Sequence, residues 1–219
     1  MVLVPGLQGD PGIFLPLVPC LPNRRIWGFR LSQGGLIQDA AMLSRSLERL
    51  GIERARLVAG SYGGQVGLRL RTSVHSLVMV GSFGRWCQVP RKQRLMLRCA
   101  LSLPSGFLEQ RYNARLMERL LADGVPRDVA EHLSGPGGRA LQNRLRSLVG
   151  TAESVMTQPT LWLAGQEDLQ APWTPLELKK IWSEVVVQRL PGRHRPYASH
   201  PAEFAAVLQQ WWGSVDAAL

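Results

Sequence analysis

Two kinds of apolar spacing alternate along this chain. Val2-Leu3-Val4 is a continuous apolar run ended by Pro5-Gly6. It predicts a buried strand entering a tight loop, Gly6-Leu7-Gln8-Gly9-Asp10-Pro11-Gly12. Ile13 to Leu21 is apolar but interrupted by Pro16 and Pro19, so a short helix with a broken end is expected. Ile26 to Leu31 predicts a second strand. From Leu36 to Leu50 the apolar positions 36, 37, 40, 43, 47 and 50 follow helical spacing, and Gly51 supplies the stop. Arg56 to Ala59 reads as a third strand, Gly63 to Leu70 starts a helix, and Ser76 to Val80 is a fourth strand.

Residues 84–154 break this alternation. Arg91–Leu103, Phe107–Leu121, Pro126–Leu133 and Gly138–Val149 read as four helices. Leu108, Tyr112, Leu116 and Leu120 make one apolar stripe on the second of them. Leu95, Leu97, Leu101 and Phe107 extend the apolar surface, which either packs these helices onto the sheet or lines an acyl pocket. Strand–helix alternation returns after Pro159, with strands at Thr160–Ala164 and Val185–Leu190 and helices at Pro175–Trp182 and Pro201–Trp212. Trp211 and Trp212 are expected at the surface and core of that last helix.

Such alternation implies an α/β protein with a mostly parallel, doubly wound sheet. Residues 1–83 and 155–219 form its core, and 84–154 form an inserted all-helical lid over the carboxyl ends of the strands, where such sheets bind ligands.

Composition narrows the function classes. The net charge is +10, and 23 of the 26 basic residues are arginine. Residues 85–154 alone hold twelve bases against six acids. No basic stripe with interleaved aromatics appears, so nucleic-acid binding is not expected. An anionic substrate or an acidic partner fits the charge better. Cys20, Cys87 and Cys99 show no C-x-x-C spacing, which argues against a disulfide framework or a metal site. No run is long enough to span a membrane, and MVLVPG lacks the basic start of a secretory signal, so a cytoplasmic location is expected.

LVAGSYGGQVG, from Leu57 to Gly67, carries the candidate chemistry. Ala59, Ser61 and Gly63 form a small-x-Ser-x-Gly pattern between a strand and a helix. A strand-to-helix turn this sharp strains the serine backbone, needs small residues two places either side, and lifts the hydroxyl to the top of the sheet. A hydroxyl is a weak nucleophile without a base, so a histidine and an acid are required.

The chain resembles the α/β-hydrolase superfamily over nearly its whole length outside the helical segment. LVAGSYGGQVG resembles that family's nucleophile elbow, with Ala59 where Gly is common and Gly60 where His is frequent. The run from Leu163 to Pro172 has the form L-x-G-x-x-D-x-x-x-P and resembles the family's acid loop, which implies Asp168 as the acid. PGRHRPYASHPAEF resembles its histidine loop, which implies His194 as the base, with His200 the one serious rival. VPGLQGD resembles its H-G-x-x-G loop, with Pro5 where His usually stands. The resemblance thus implies an oxyanion hole made by the backbone N–H groups of Leu7 and Tyr62. The chain starts directly with that loop's own strand, so a sheet shortened at its amino end is expected.

The resemblance implies a serine hydrolase that cleaves a carboxylic ester or thioester of a small acyl substrate, with no metal or organic cofactor. An anionic group on the substrate is one option. Two other readings stay open. VHSLVMVGSF and the compact helical segment resemble maspardin-like proteins, which would make this a non-catalytic binding protein. Alternatively, the same triad would serve a C–C bond hydrolase or an acyltransferase. Oligomeric state is not read from the sequence.

Overall fold

The structure is a computed structural model of the chain. It describes residues 1–70, 74–84, 89–149, 158–170, 178–180, 182 and 184–218. Among the described residues, one sheet contains β1 (Val2–Val4), β2 (Trp27–Gly28), β3 (Ala55–Gly60), β4 (Val74–Val80), β5 (Thr160–Gly165) and β6 (Val186–Leu190). Their order is β2-β1-β3-β4-β5-β6, and every pairing is parallel. The helices are α1 (Leu36–Arg49), α2 (Tyr62–Gly67), α3 (Arg91–Leu101), α4 (Ser105–Ala122), α5 (Arg127–His132), α6 (Gly138–Leu148), α7 (Pro196–Ser199) and α8 (Pro201–Ala217). A 3-10 segment spans Pro11–Cys20.

The continuous apolar runs follow from burial on both faces of the sheet. Val4, Leu57, Ala59, Leu77, Met79, Trp162 and Ala164 enter one core, with Leu36, Leu43 and Leu47 of α1 and Val66 of α2. Leu3, Val58, Val78, Val80, Leu161 and Leu163 enter the other, with Phe14 and Leu17 of the 3-10 segment and Phe204, Leu208 and Trp212 of α8. The expected doubly wound sheet is therefore present.

Several boundaries differ from the sequence reading, each for a local reason. The second strand is two residues long instead of spanning Ile26–Leu31. Its neighbour β1 has only three residues before Pro5, so the ladder has little to extend against. Pro16 and Pro19 lie inside the Pro11–Cys20 segment and remove α-helical donors, which leaves a 3-10 coil. The last helix runs on to Ala217 because Val215 continues the buried stripe. Trp212 is buried as expected, whereas Trp211, expected at the surface, is half-buried and packs against the same cluster. The helix expected over 175–182 lies largely outside the described residues.

Four helices occupy 91–148, as the pattern predicted. Leu108, Leu116 and Leu120 bury one face of α4, and Leu108 packs against Leu141 and Leu145 of α6. The rest of the expected apolar surface divides differently. Leu95 is 64% exposed, Phe107 is 42% exposed, and no residue of α3 is fully buried.

Candidate active site

β3 ends at Gly60, and α2 starts at Tyr62. Ser61 alone bridges them, with φ 49° and ψ −113°. Left-handed backbone on a non-glycine residue costs about 1–3 kcal/mol and persists only where its surroundings enforce it. Here the enforcement is visible. The Ser61 N–H donates to the Val80 carbonyl at 2.7 Å, and the Gly64 N–H donates to the Ser61 carbonyl at 3.0 Å. A Cβ on Gly63 would sit 2.5 Å from the Val4 carbonyl oxygen and 2.6 Å from that of Pro5, so the turn packs directly against β1. Gly60 is also closely packed: a Cβ there would lie 3.1 Å from the Tyr197 hydroxyl. Burial pushes the pKa of that phenol up to about 12, so it stays protonated.

Ser61 and His194 line one cavity of about 60 Å³, together with Gly6, Leu7, Gln8 and Tyr197. Of the four histidines, His194 alone lines it. Its Nδ1 lies 2.9 Å from Oδ2 of Asp168, and both side chains are buried. The other Asp168 oxygen accepts the Gln170 N–H at 2.8 Å. With its proton on Nδ1, His194 donates to the carboxylate and leaves Nε2 free to accept a proton. Among the described residues, no direct hydrogen bond joins Ser61 to His194. Such contacts often tighten only with substrate bound. Gly81 closes this corner: a Cβ there would lie 2.8 Å from His194 Nδ1 and 3.1 Å from Asp168 Oδ2.

The rivals lie elsewhere. Glu167 is exposed and faces Arg193 at 3.7 Å. His200 caps α8 and contacts Ser199 Oγ at 2.9 Å. His132 is exposed at the end of α5, and His75 pairs with Asp216.

The loop after β1 reaches the same cavity through Gly6, Leu7 and Gln8. A Cβ on Gly6 would stand 3.4 Å from the Ser61 Cβ. Neither the Leu7 N–H nor the Tyr62 N–H has an acceptor among the described residues.

A family model described as the alpha/beta hydrolase family matches residues 1–207. The chain belongs to the alpha/beta hydrolase family. Three solved structures illustrate the likeness. A haloalkane dehalogenase from Bradyrhizobium elkani has a TM-score of 0.76 at 18% identity, covering 100% of this chain and 91% of its own. An esterase from Exiguobacterium antarcticum has 0.75 at 12% identity, covering 96% and 90%. An enol-lactonase from Burkholderia xenovorans has 0.73 at 14% identity, covering 97% and 90%. At these identities the likeness is one of fold. No curated protein sequence matches the chain.

This alpha/beta hydrolase carries a buried polar network that sequence reasoning missed. Arg144 of α6 donates to the Leu7 carbonyl at 2.5 Å and to the Ser32 carbonyl at 2.8 Å. Asp39 of α1 accepts the Ser32 N–H and hydroxyl, each at 2.7 Å, and the Tyr62 hydroxyl at 2.9 Å. Arg144 is 3% exposed and Asp39 fully buried. Burial, and then the Asp39 charge, hold the Tyr62 phenol well above its ordinary pKa. The network thus connects the two residues singled out as oxyanion donors. Its partners are 137, 112, 23 and seven residues apart along the chain, so no local motif announces them. Arg119 was also missed. It lines the cavity from α4, is exposed, and has no carboxylate partner among the described residues.

Proposed function

We propose that this protein is a serine hydrolase cleaving a carboxylic ester or thioester through an acyl-enzyme. One observation carries the reading: a serine strained into left-handed backbone shares a cavity with a histidine whose far nitrogen meets a buried carboxylate. Ser61 Oγ attacks the substrate carbonyl carbon while its proton passes to Nε2 of His194. Asp168 holds the resulting imidazolium. The N–H groups of Leu7 and Tyr62 take the oxyanion. His194 then protonates the leaving oxygen or sulfur, and the acyl group stays on Ser61. Water attacks next, gives its proton to His194, and restores the serine. A fluorophosphonate probe tests this directly. Mass spectrometry should find one adduct per chain, on Ser61, and lack of reaction would return the protein to the binding class.

The helical segment 84–154 acts as the lid. Tyr112, Leu116 and Arg119 of α4 form part of the cavity wall. The cavity is small, about 60 Å³, so a longer acyl chain needs this wall to shift. A wider groove of about 440 Å³ shares His194 and Gln170 with the cavity and gives the leaving group an exit.

Arg119 suits an anionic group on the acyl portion, since it lines the cavity and has no carboxylate partner among the described residues. Arg119→Gln is expected to raise KM for a succinate half-ester by about tenfold. The neutral butyrate ester should keep its KM. Equal effects on both esters would remove Arg119 from charge recognition.

Arg144 acts as a positioning residue for the Leu7 loop. In the usual H-G-x-x-G loop a histidine stands where this chain has Pro5, and Arg144 supplies the brace from another element. Arg144→Lys is expected to lower kcat by up to about 10²-fold with little change in KM, as for other small misplacements of a site. Affinity for a boronic acid transition-state analogue should fall in parallel. A kcat loss without that fall would mean general destabilisation, which the melting midpoint would also register.

A further inference from the structure

A concavity of about 670 Å³ opens at the amino ends of the strands, the opposite end of the sheet from Ser61. Arg24, Arg25, Arg54 and Arg56 line it with His75, and Asp216 of α8 is the one carboxylate in its wall. That carboxylate is already engaged. Arg56 Nη2 donates to its two oxygens at 2.6 and 2.5 Å, and His75 Nε2 lies 3.1 Å from Oδ1. On the other side of the ring, Arg54 Nη2 is 2.7 Å from His75 Nδ1. A guanidinium only donates, so Nδ1 accepts. Nε2 is then the His75 nitrogen that donates to Asp216.

The remaining cations have no such relief. Arg24, Arg25 and Arg54 have no carboxylate partner among the described residues. Arg24 and Arg56 both stand over the Trp212 ring, at 5.5 and 5.4 Å from its centroid. Trp212 is 1% exposed, and its indole N–H is buried without an acceptor. Among the described residues, four guanidiniums against one carboxylate leave a net side-chain charge of +3 around one concavity. Its volume lies within the roughly 300–1,000 Å³ of small-molecule sites. The unpaired groups are all donors, and planar guanidinium forks match phosphate oxygens in pairs.

We propose that this groove binds a small anion carrying two or more linked phosphate groups. A carboxylate compensates one of the three charges and a monophosphate at most about two, whereas a phosphate chain carries more charge and spans several arginines at once. The site is independent of the hydrolase chemistry, because Arg24 and Arg54 are exposed and belong to the opposite end of the sheet.

Titration calorimetry with sodium tripolyphosphate at physiological ionic strength tests it. Saturable one-to-one binding is expected, with orthophosphate weaker by at least about tenfold. The R24Q/R54Q variant should lose at least about tenfold in affinity, and R24K/R54K, which keeps the charge but not the planar fork, should fall between it and wild type. Both variants should keep wild-type ester hydrolysis, which reports an intact fold. ATP binding tighter than tripolyphosphate assigns a nucleotide source, and equal or weaker ATP binding assigns a free phosphate chain. No saturable binding, or unchanged affinity in R24Q/R54Q, overturns the proposal.

Discussion

Ser61→Ala is expected to lower kcat for p-nitrophenyl acetate by roughly 10⁶-fold, the scale seen when the nucleophile of a triad is removed. On the proposed mechanism the effect is large because Ser61 supplies the bond-forming atom, and no other serine, threonine or cysteine lines the cavity among the described residues. Substrate binding should survive, since Ser61 is half-buried and its side chain makes no packing core. Stability should also hold. The strain at φ 49° belongs to the backbone, and alanine inherits it. The test is steady-state kinetics with background hydrolysis subtracted, alongside a melting curve. A variant that keeps the wild-type rate would show that any ester cleavage arises elsewhere on the protein. A residual rate of about 10³-fold over water would instead be expected from the oxyanion donors alone.

Much of this site was legible in the sequence because its parts are local. The elbow is a run from Leu57 to Gly67, and each glycine in it answers to a nearby contact: Gly63 to the Val4 and Pro5 carbonyls, Gly60 to Tyr197. Asp168 and His194 each sit just past a strand, and the strands were readable from their apolar runs. The sheet was legible for the same reason, since burial on both faces leaves continuous runs such as Leu161-Trp162-Leu163-Ala164. What was not legible depends on distant partners. Nothing around Arg144 distinguishes it from the other arginines of 85–154 until α6 is seen against the Leu7 loop. Asp39 reads as a polar position on an amphipathic helix, yet it is fully buried against Ser32 and Tyr62. The groove at the amino ends of the strands joins residues 24, 54, 75 and 216, which only parallel strand packing brings together. The prolines at 5, 16 and 19 shortened a strand and tightened a helix, an effect on length that apolar periodicity does not carry.

Asp168→Asn is expected to lower kcat by about 10⁴-fold while leaving KM within a few-fold, by analogy with the loss in other triads. The reason is tautomeric. Asp168 Oδ1 accepts the Gln170 N–H at 2.8 Å, so an asparagine oxygen would keep that place. Its amide NH₂ would then face His194 Nδ1, where a carboxylate oxygen now lies at 2.9 Å. A donor there forces Nδ1 to accept and moves the imidazole proton to Nε2. His194 could then no longer take the Ser61 proton, although the ring would hold its position. The neighbouring acid provides the contrast. Glu167 is exposed and faces Arg193 at 3.7 Å, so Glu167→Gln should change kcat by less than about twofold. Parallel kinetics on the two variants therefore separate a role for the buried carboxylate from a general effect of removing negative charge beside the site. Similar losses in both would point to the local field, and a small loss in Asp168→Asn would remove Asp168 from the triad.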